Sequence, residues 1–439
     1  MPPVVAARRV EPGVRIMKPL LLAILALAPT ALLAQGPPRA GVTAEGFAPD
    51  RLARIDRFMQ AYVDSGRIAG AVGLVMRNGR VAYEHAAGWA DRESGRRMTA
   101  DALFRIASQS KALTSVAILS LVEEGKLAVD DPVSRYIPAF AHTTVASKSD
   151  TGRVISPAWR PITVRDLLTH TAGISYGTDS LVAPLYAAQG LGPSAGWGWY
   201  TADKDEPICT TIERLATLPF VAQPGAKWVY GYNTDILGCV AERASGLPLD
   251  ELIRTRITGP LGMRSTYFFV PAADSARLVT VYASDSTDHA RRAPDGPRGQ
   301  GNYVAGPRRS FAGGAGLIST ARDYARFLQM LLNGGELDGA RVLAPHTVDL
   351  MTHNQSGRLF DSTGAAGFGF GFMTTERYGA LGMTSVGTFG WGGAYGSSYD
   401  ADPVEHLIVV FMINQLPNRT DIAPKFLTMA YQALVARRP

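Results

Sequence analysis

The sequence predicts an α/β sandwich interrupted by a helical insert. Three observations carry this. Strand-like patterns gather near both ends of the chain, at 71–83 and 368–413, while the stretch from about Pro132 to Gly262 shows helical periodicity and long loops with few strand patterns. The apolar share, 46% of 439 residues, is ample for a large core and for two or three domains. No internal repeat is present, so a solenoid or propeller is not indicated.

At the N-terminus, Met17-Lys18 precedes an apolar stretch from Pro19 to Leu33 that ends in Ala34-Gln35. This is the pattern of a secretory signal, with Met17 the true start and cleavage after Ala34. The run is shorter than the about 20 residues a membrane-spanning helix needs. The expectation is a periplasmic or secreted protein with no permanent membrane span. Half of the formal net charge of +6 lies in this leader, and no lysine/arginine stripe of the kind a nucleic-acid groove needs follows it. The expected division is a leader at 1–34, a linker at 35–48, a sandwich domain from 49–130 and 305–439, and a helical domain at 131–304.

Asp50 opens an amphipathic helix, with Leu52, Ile55, Phe58, Met59, Tyr62 and Val63 at helical spacing and Gly66 at its end. The valine-rich run Ala71–Met76, the turn pair Asn78-Gly79 and Val81-Ala82-Tyr83 read as a β-hairpin. Further helices are expected at Ile162–His170, with Thr163 as cap, and at Thr210–Leu218, Thr234–Ser245, Asp250–Ile257, Thr320–Leu332 and Ala423–Ala436. Residues 284–310, rich in Gly, Pro, Arg and Asp, read as an exposed loop. Strands are expected at Phe368–Met373, Gly387–Trp391, Tyr395–Tyr399 and Leu407–Ile413. Cys209 and Cys239 either pair, closing a loop worth about 3–4 kcal/mol, or stay as buried thiols. With no histidine at metal spacing near either, a zinc site is not indicated.

Three stretches carry candidate chemistry. In Phe104–Thr114 a serine, Ser108, is followed three residues on by Lys111 and then by a largely apolar run through Leu121. On a helix that spacing puts the two side chains on one face. A serine hydroxyl is a poor nucleophile until a base takes its proton, and a lysine serves as that base only in its neutral form, which burial favours. A serine at a helix start is also a common cap. In Pro224–Asp235, Tyr230 stands just before a helix N-terminus, where the helix dipole and a nearby cation favour a phenolate; plain aromatic packing of Tyr230 and Trp228 is the simpler alternative. In Gly390-Trp391-Gly392-Gly393-Ala394 the glycines mark a strand approached by another backbone or a ligand, where an N–H can meet a developing oxyanion.

Together these stretches resemble the serine hydrolases of the penicillin-recognising fold, specifically the class C β-lactamase-like branch with its esterases and D-stereospecific peptidases. In that family S-x-x-K supplies nucleophile and lysine, a Tyr-x-Asn-type motif a second base, and a Lys-Thr-Gly-type strand borders the site. Here they fall in the expected order on Ser108/Lys111, Tyr230-Gly231-Tyr232 and Trp391-Gly392-Gly393. Asp166–Gly173, Pro260–Met263 and Gly313–Leu317 are similar to supporting segments of the family, and the likeness runs from about residue 50 to 435. The resemblance implies an α+β fold, an antiparallel sheet flanked by helices plus an all-helical domain, with the site between them. It implies Ser108, Lys111 and Tyr230 as catalytic residues, an oxyanion hole from the backbone of Ser108 and Ala394, substrate contacts from Trp391, Gly392, Gly393, Tyr232 and Asn233, and no cofactor or metal.

Two departures bear on substrate. The family's Asn position is Tyr232, with Asn233 one residue later. Trp391 stands where the β-lactamases and peptidases carry Lys, so the cation that would pair with a substrate carboxylate is replaced by an indole with one N–H and a large apolar face. This favours a neutral ester as substrate. The alternatives are a β-lactamase or D-amino-acid peptidase, and, from another class, a non-catalytic penicillin-binding-type sensor. Gly173-Ile174-Ser175-Tyr176-Gly177 fits the nucleophile elbow of α/β-hydrolases but lacks the strand before it, and none of His85, His142, His170, His289, His346, His353 and His406 sits in a stretch that resembles a triad site. No phosphate loop or HExxH motif is present.

Overall fold

The strands Gly70–Arg77 and Leu407–Met412 are buried at every position, which explains why both read as unbroken apolar runs. The structure, a computed structural model, describes residue 43 and residues 45–150, 152–195 and 201–436. The leader expected at 1–34 lies outside these residues, as does most of the linker. In chain order, helix α1 spans Pro49–Asp64, strands β1 and β2 span Gly70–Arg77 and Arg80–Asp91, and helix α2 spans Ser110–Glu123. Helices α3 (Val164–Leu168), α4 (Ile208–Ala216), α5 (Asn233–Ser245) and α6 (Ala321–Leu332) follow. The chain returns to the sheet with β3 (Ala366–Phe368), β4 (Met373–Thr375), β5 (Phe389–Gly392), β6 (Ser398–Asp402) and β7 (Leu407–Met412), and closes with α7 (Ile422–Ala433).

The sheet runs in the order β3-β4-β5-β6-β7-β1-β2, extended by a two-residue strand at Arg96–Arg97, and every pairing is antiparallel. Strands from the two ends of the chain meet at its centre, where Val72 pairs with Met412 and Leu74 with Val410. Alternate residues serve opposite faces. Val72 and Leu74 join the core shared with α2 and α6, and Ala71 and Val75 join the core under α1 and α7. Asn78 and Gly79 both take positive φ, 53° and 76°, as the two-residue hairpin turn requires. Helix α2 is buried from Ser110 to Leu121, the signature of a helix wrapped by protein on all sides.

Several boundaries differ from expectation. Phe47 is fully buried and bridges to Leu434, so the end of the expected linker is docked on the domain. The strand expected at Phe368–Met373 is broken where Gly369 N–H bonds Phe372 O, leaving β3 and β4 as a tight pair. The strand expected at Tyr395–Tyr399 begins only at Ser398, because 393–397 form the β5–β6 turn, with Gly393 N–H on Ser397 O. The helical stretch also holds two short hairpins, Thr144–Ser149 with Gly152–Pro157 and Tyr282–Ser284 with Ala290–Arg292. The second lies at the start of the expected 284–310 loop. Asp285 holds it by accepting from the N–H groups of Thr287 and His289, a local side-chain turn with no hydrophobic alternation to announce it.

Candidate active site

Ser108 sits in a 3₁₀ turn, Ala107–Gln109, that leads directly into α2. Ala107 takes φ +43°, a left-handed conformation uncommon for a residue with a Cβ, immediately before the serine. One turn into the helix, Lys111 is 1% exposed. Its Nζ donates to Ser108 Oγ at 3.1 Å, to the Tyr176 hydroxyl at 3.1 Å and to Gly314 O at 2.7 Å. Three acceptors thus meet the three donor positions of an ammonium group.

The Gly313–Leu317 segment is fixed against α2 by Thr114 Oγ1 donating to Gly313 O and by Leu317 N–H donating to Ser110 Oγ. Gly314 also donates its N–H to Asp235 Oδ1 at 3.2 Å. A Cβ at Gly314 would lie 2.5 Å from Asp235 Oδ2, so only glycine fits between the lysine and this carboxyl. Burial pushes the Asp235 carboxyl up to about 6, against the pull of the Lys111 charge, the Gly314 N–H and the Thr201 hydroxyl.

Tyr230 lies on the approach to α5. Its ring stacks on Trp228 at 5.7 Å and packs 4.8 Å from the His170 ring, and its hydroxyl oxygen accepts from Trp391 Nε1 at 3.1 Å. Lys111 Nζ is 4.7 Å from the centre of the Tyr230 ring. The Tyr176 phenol is held well above its ordinary value by burial and then by the neighbouring Tyr230, Asp235 and Tyr232, so it stays protonated.

A cavity of about 460 Å³ opens on this arrangement, lined by Ser108, Tyr176, Tyr230, Trp391, Gly392, Gly393 and Ala394. No charged side chain and no histidine is among the lining residues. The expected residues Ser108, Tyr230, Trp391, Gly392, Gly393 and Ala394 are brought together here, with Lys111 directly behind the serine. Tyr232 and Asn233, expected beside substrate, lie instead beneath the site. The Tyr232 hydroxyl accepts from Gly192 N–H, and its ring packs on Tyr176. The Asn233 amide donates to His170 Nδ1 at 2.8 Å and to Ile174 O. They are turned inward because they start α5, whose first residues are buried against the Thr171–Ser175 loop.

One residue at the site escaped the sequence reading. Tyr176 lies in the GxSxG match, but Ser175 is buried and its Oγ only accepts from Gly177 N–H. The tyrosine beside it is the one whose hydroxyl meets Lys111 Nζ. His170 is the wall behind Tyr230. Burial, then the Lys111 charge, hold it well below its ordinary value, so it is a neutral ring that packs and accepts. Cys209 and Cys239 form a disulfide that ties α4 to α5. Among the described residues no group of three or more His, Cys, Asp or Glu is placed to hold a metal ion.

A Beta-lactamase family model matches residues 55–433. Esterase EstB from Burkholderia gladioli is 34% identical over 379 residues, covering 82% of this chain and 90% of EstB. The lovastatin esterase of Penicillium rubens is 33% identical over 312 residues, covering 69% of this chain and 73% of that enzyme. Among solved structures, EstCE1, described as a hydrolase with promiscuous acyltransferase activity, superposes with a TM-score of 0.73 at 29% identity, covering 89% of this chain and all of that one. The chain belongs to the Beta-lactamase family and is a serine hydrolase of the penicillin-recognising fold.

Proposed function

We propose that the protein hydrolyses neutral carboxylic esters through an acyl-enzyme on Ser108. The observation that carries this reading is the uncharged lining of the cavity in front of Ser108, with an indole at position 391. A substrate carboxylate would find no cation there, whereas an ester gains an apolar wall and one N–H. The esterase relatives support the same choice.

In the proposed reaction Lys111 enters as the neutral amine: Ser108 Oγ attacks the ester carbonyl and its proton passes across the 3.1 Å contact to the Nζ lone pair, giving the ammonium that bonds Ser108, Tyr176 and Gly314. The backbone N–H groups of Ser108 and Ala394 hold the oxyanion. The tetrahedral intermediate collapses, the bond to the alkoxy oxygen breaks, and Tyr230 relays a proton to the departing alcohol. Water then attacks the acyl carbon by the same route in reverse and frees Ser108. Lys111 is preferred over Tyr230 as first acceptor because it touches Oγ, while the Tyr230 hydroxyl is engaged by Trp391.

The disulfide supports an oxidising compartment, and we propose residues 17–34 as the export signal. The decisive experiment turns over p-nitrophenyl butyrate and nitrocefin with the purified protein and with Ser108→Ala. Ester turnover that disappears in the variant is expected. Ester turnover unchanged in Ser108→Ala overturns the role of Ser108. Fast nitrocefin hydrolysis without ester turnover points to a β-lactamase, and a stable stoichiometric acyl adduct without turnover points to a sensor.

A further inference from the structure

A second cavity, about 270 Å³, lies on the opposite face of the strand that borders the active site. In β5, Phe389 and Trp391 face the core of α2 and α6, so Gly390 and Gly392 present bare backbone to α7. Gly390 pairs with Asp400 of β6, and a Cβ at 390 would lie 2.4 Å from Tyr399 O, so the strand carries no side chain at 390 beside Asp400. Met373, Leu381, Ala423, Pro424 and Leu427 supply apolar walls. Asp400 also lines the cavity, and its carboxyl has no hydrogen-bond or ion-pair partner among the described residues.

The neighbouring charges are already engaged. Asp402, two residues on, accepts from Ser385, Val404 and Glu405 N–H and from the Tyr431 hydroxyl of α7. Lys425 of α7 pairs with Asp421, and Glu376 beyond β4 accepts from Thr374 Oγ1. Asp400, half-buried, is thus the one acid among the lining residues, beside the hydroxyl side chains of Thr375, Thr384 and Ser398 and the apolar walls. Burial, then the Asp402 charge, lift its carboxyl to about 7.

We propose that this cavity binds a small primary alkylamine, its ammonium paired with the Asp400 carboxylate and its chain against Met373, Leu381 and Leu427. A ligand that brings both a cation and hydrocarbon complements this half-buried carboxylate and the apolar walls at once. Trp391 and Gly392 line this cavity and the Ser108 cavity alike, so an occupant touches the strand that borders both. The proposal does not depend on the identity of the ester substrate.

Calorimetric titration of the whole protein with n-hexylamine tests it, with hexan-1-ol as the neutral match. Hexylamine is expected to bind at least about tenfold more tightly than the alcohol at pH 8, since a paired charge contributes roughly 1.4 kcal/mol or more. At pH 6 binding should release a proton from Asp400, seen as a heat that depends on the buffer's ionisation enthalpy, and at pH 9 it should not. Asp400→Asn is expected to cost the amine about tenfold and the alcohol nothing, and Ala423→Phe to block both. Equal affinity for amine and alcohol, undiminished amine binding in either variant, or no binding to the wild-type protein overturns the proposal. Ala423→Phe leaves Asp400 in place, so the test survives a poorly folded Asp400→Asn.

Discussion

Trp391 Nε1 donates to the hydroxyl oxygen of Tyr230 at 3.1 Å, joining the β5 strand to the loop before α5. The indole therefore acts at the site in two ways, as a neutral wall and as a donor to the tyrosine. Trp391→Phe keeps the wall and removes the donor. Its kcat/KM for p-nitrophenyl butyrate should fall about 5- to 30-fold, the cost of one hydrogen bond worth about 1–2 kcal/mol. Trp391→Lys restores a donor and adds a cation, so the ratio of nitrocefin to ester turnover should rise. An unaltered ester rate in Trp391→Phe would show that this hydrogen bond does not position Tyr230.

Tyr176 gives Lys111 its third acceptor. Tyr176→Phe leaves the ring packing on Tyr230 and Tyr232 but removes the hydroxyl. The expected result is about a tenfold loss in kcat with KM nearly unchanged, because the cavity wall persists while the lysine is held by two contacts. A change confined to KM would assign Tyr176 to substrate binding instead.

How much of this was legible in the sequence follows from the range of each interaction. Strands β1 and β7 declare themselves because burial on both faces leaves eight and six consecutive buried positions. Ser108 and Lys111 are one helical turn apart, so their contact is encoded locally. Lys111 and Tyr176 meet across 65 residues, and Lys111 and Gly314 across 203, so no local pattern marks either contact. Tyr176 was hidden in addition by a motif match that drew attention to Ser175. Tyr232 and Asn233 misled for the opposite reason. Their place next to Tyr230 in sequence suggested a place beside substrate, but the start of α5 turns both inward.

The disulfide links α4 to α5, and α5 begins three residues after Tyr230. Removing it in a Cys209→Ser, Cys239→Ser double variant should lower unfolding free energy by about 3.6 kcal/mol, the loop-entropy value for a separation of 30 residues. Urea unfolding with and without a reductant measures it. A reduced wild-type protein should match the double variant, and an unchanged midpoint under reductant would mean that α4–α5 packing alone carries the load.

Asp235 connects the catalytic lysine to pH. Its carboxyl is raised by burial from 3.8 to about 6, so the folded state holds the proton more tightly than the unfolded chain. The stability this contributes is fully present below about pH 4 and is lost as pH rises through 6. Asp235→Asn has no such titration, and its Oδ1 can still accept from Gly314 N–H. The variant should therefore gain stability relative to wild type between pH 4 and pH 7, by on the order of 3 kcal/mol, with no further change above pH 7. Activity should move the other way. The ionised carboxylate faces the Lys111 charge through Gly314, so kcat in Asp235→Asn should drop at pH 8 and approach the wild-type value near pH 5. Unfolding midpoints and kcat measured from pH 4 to 9 separate the two effects. Parallel stability curves for the two proteins would mean that Asp235 is ionised in the folded state across the whole range.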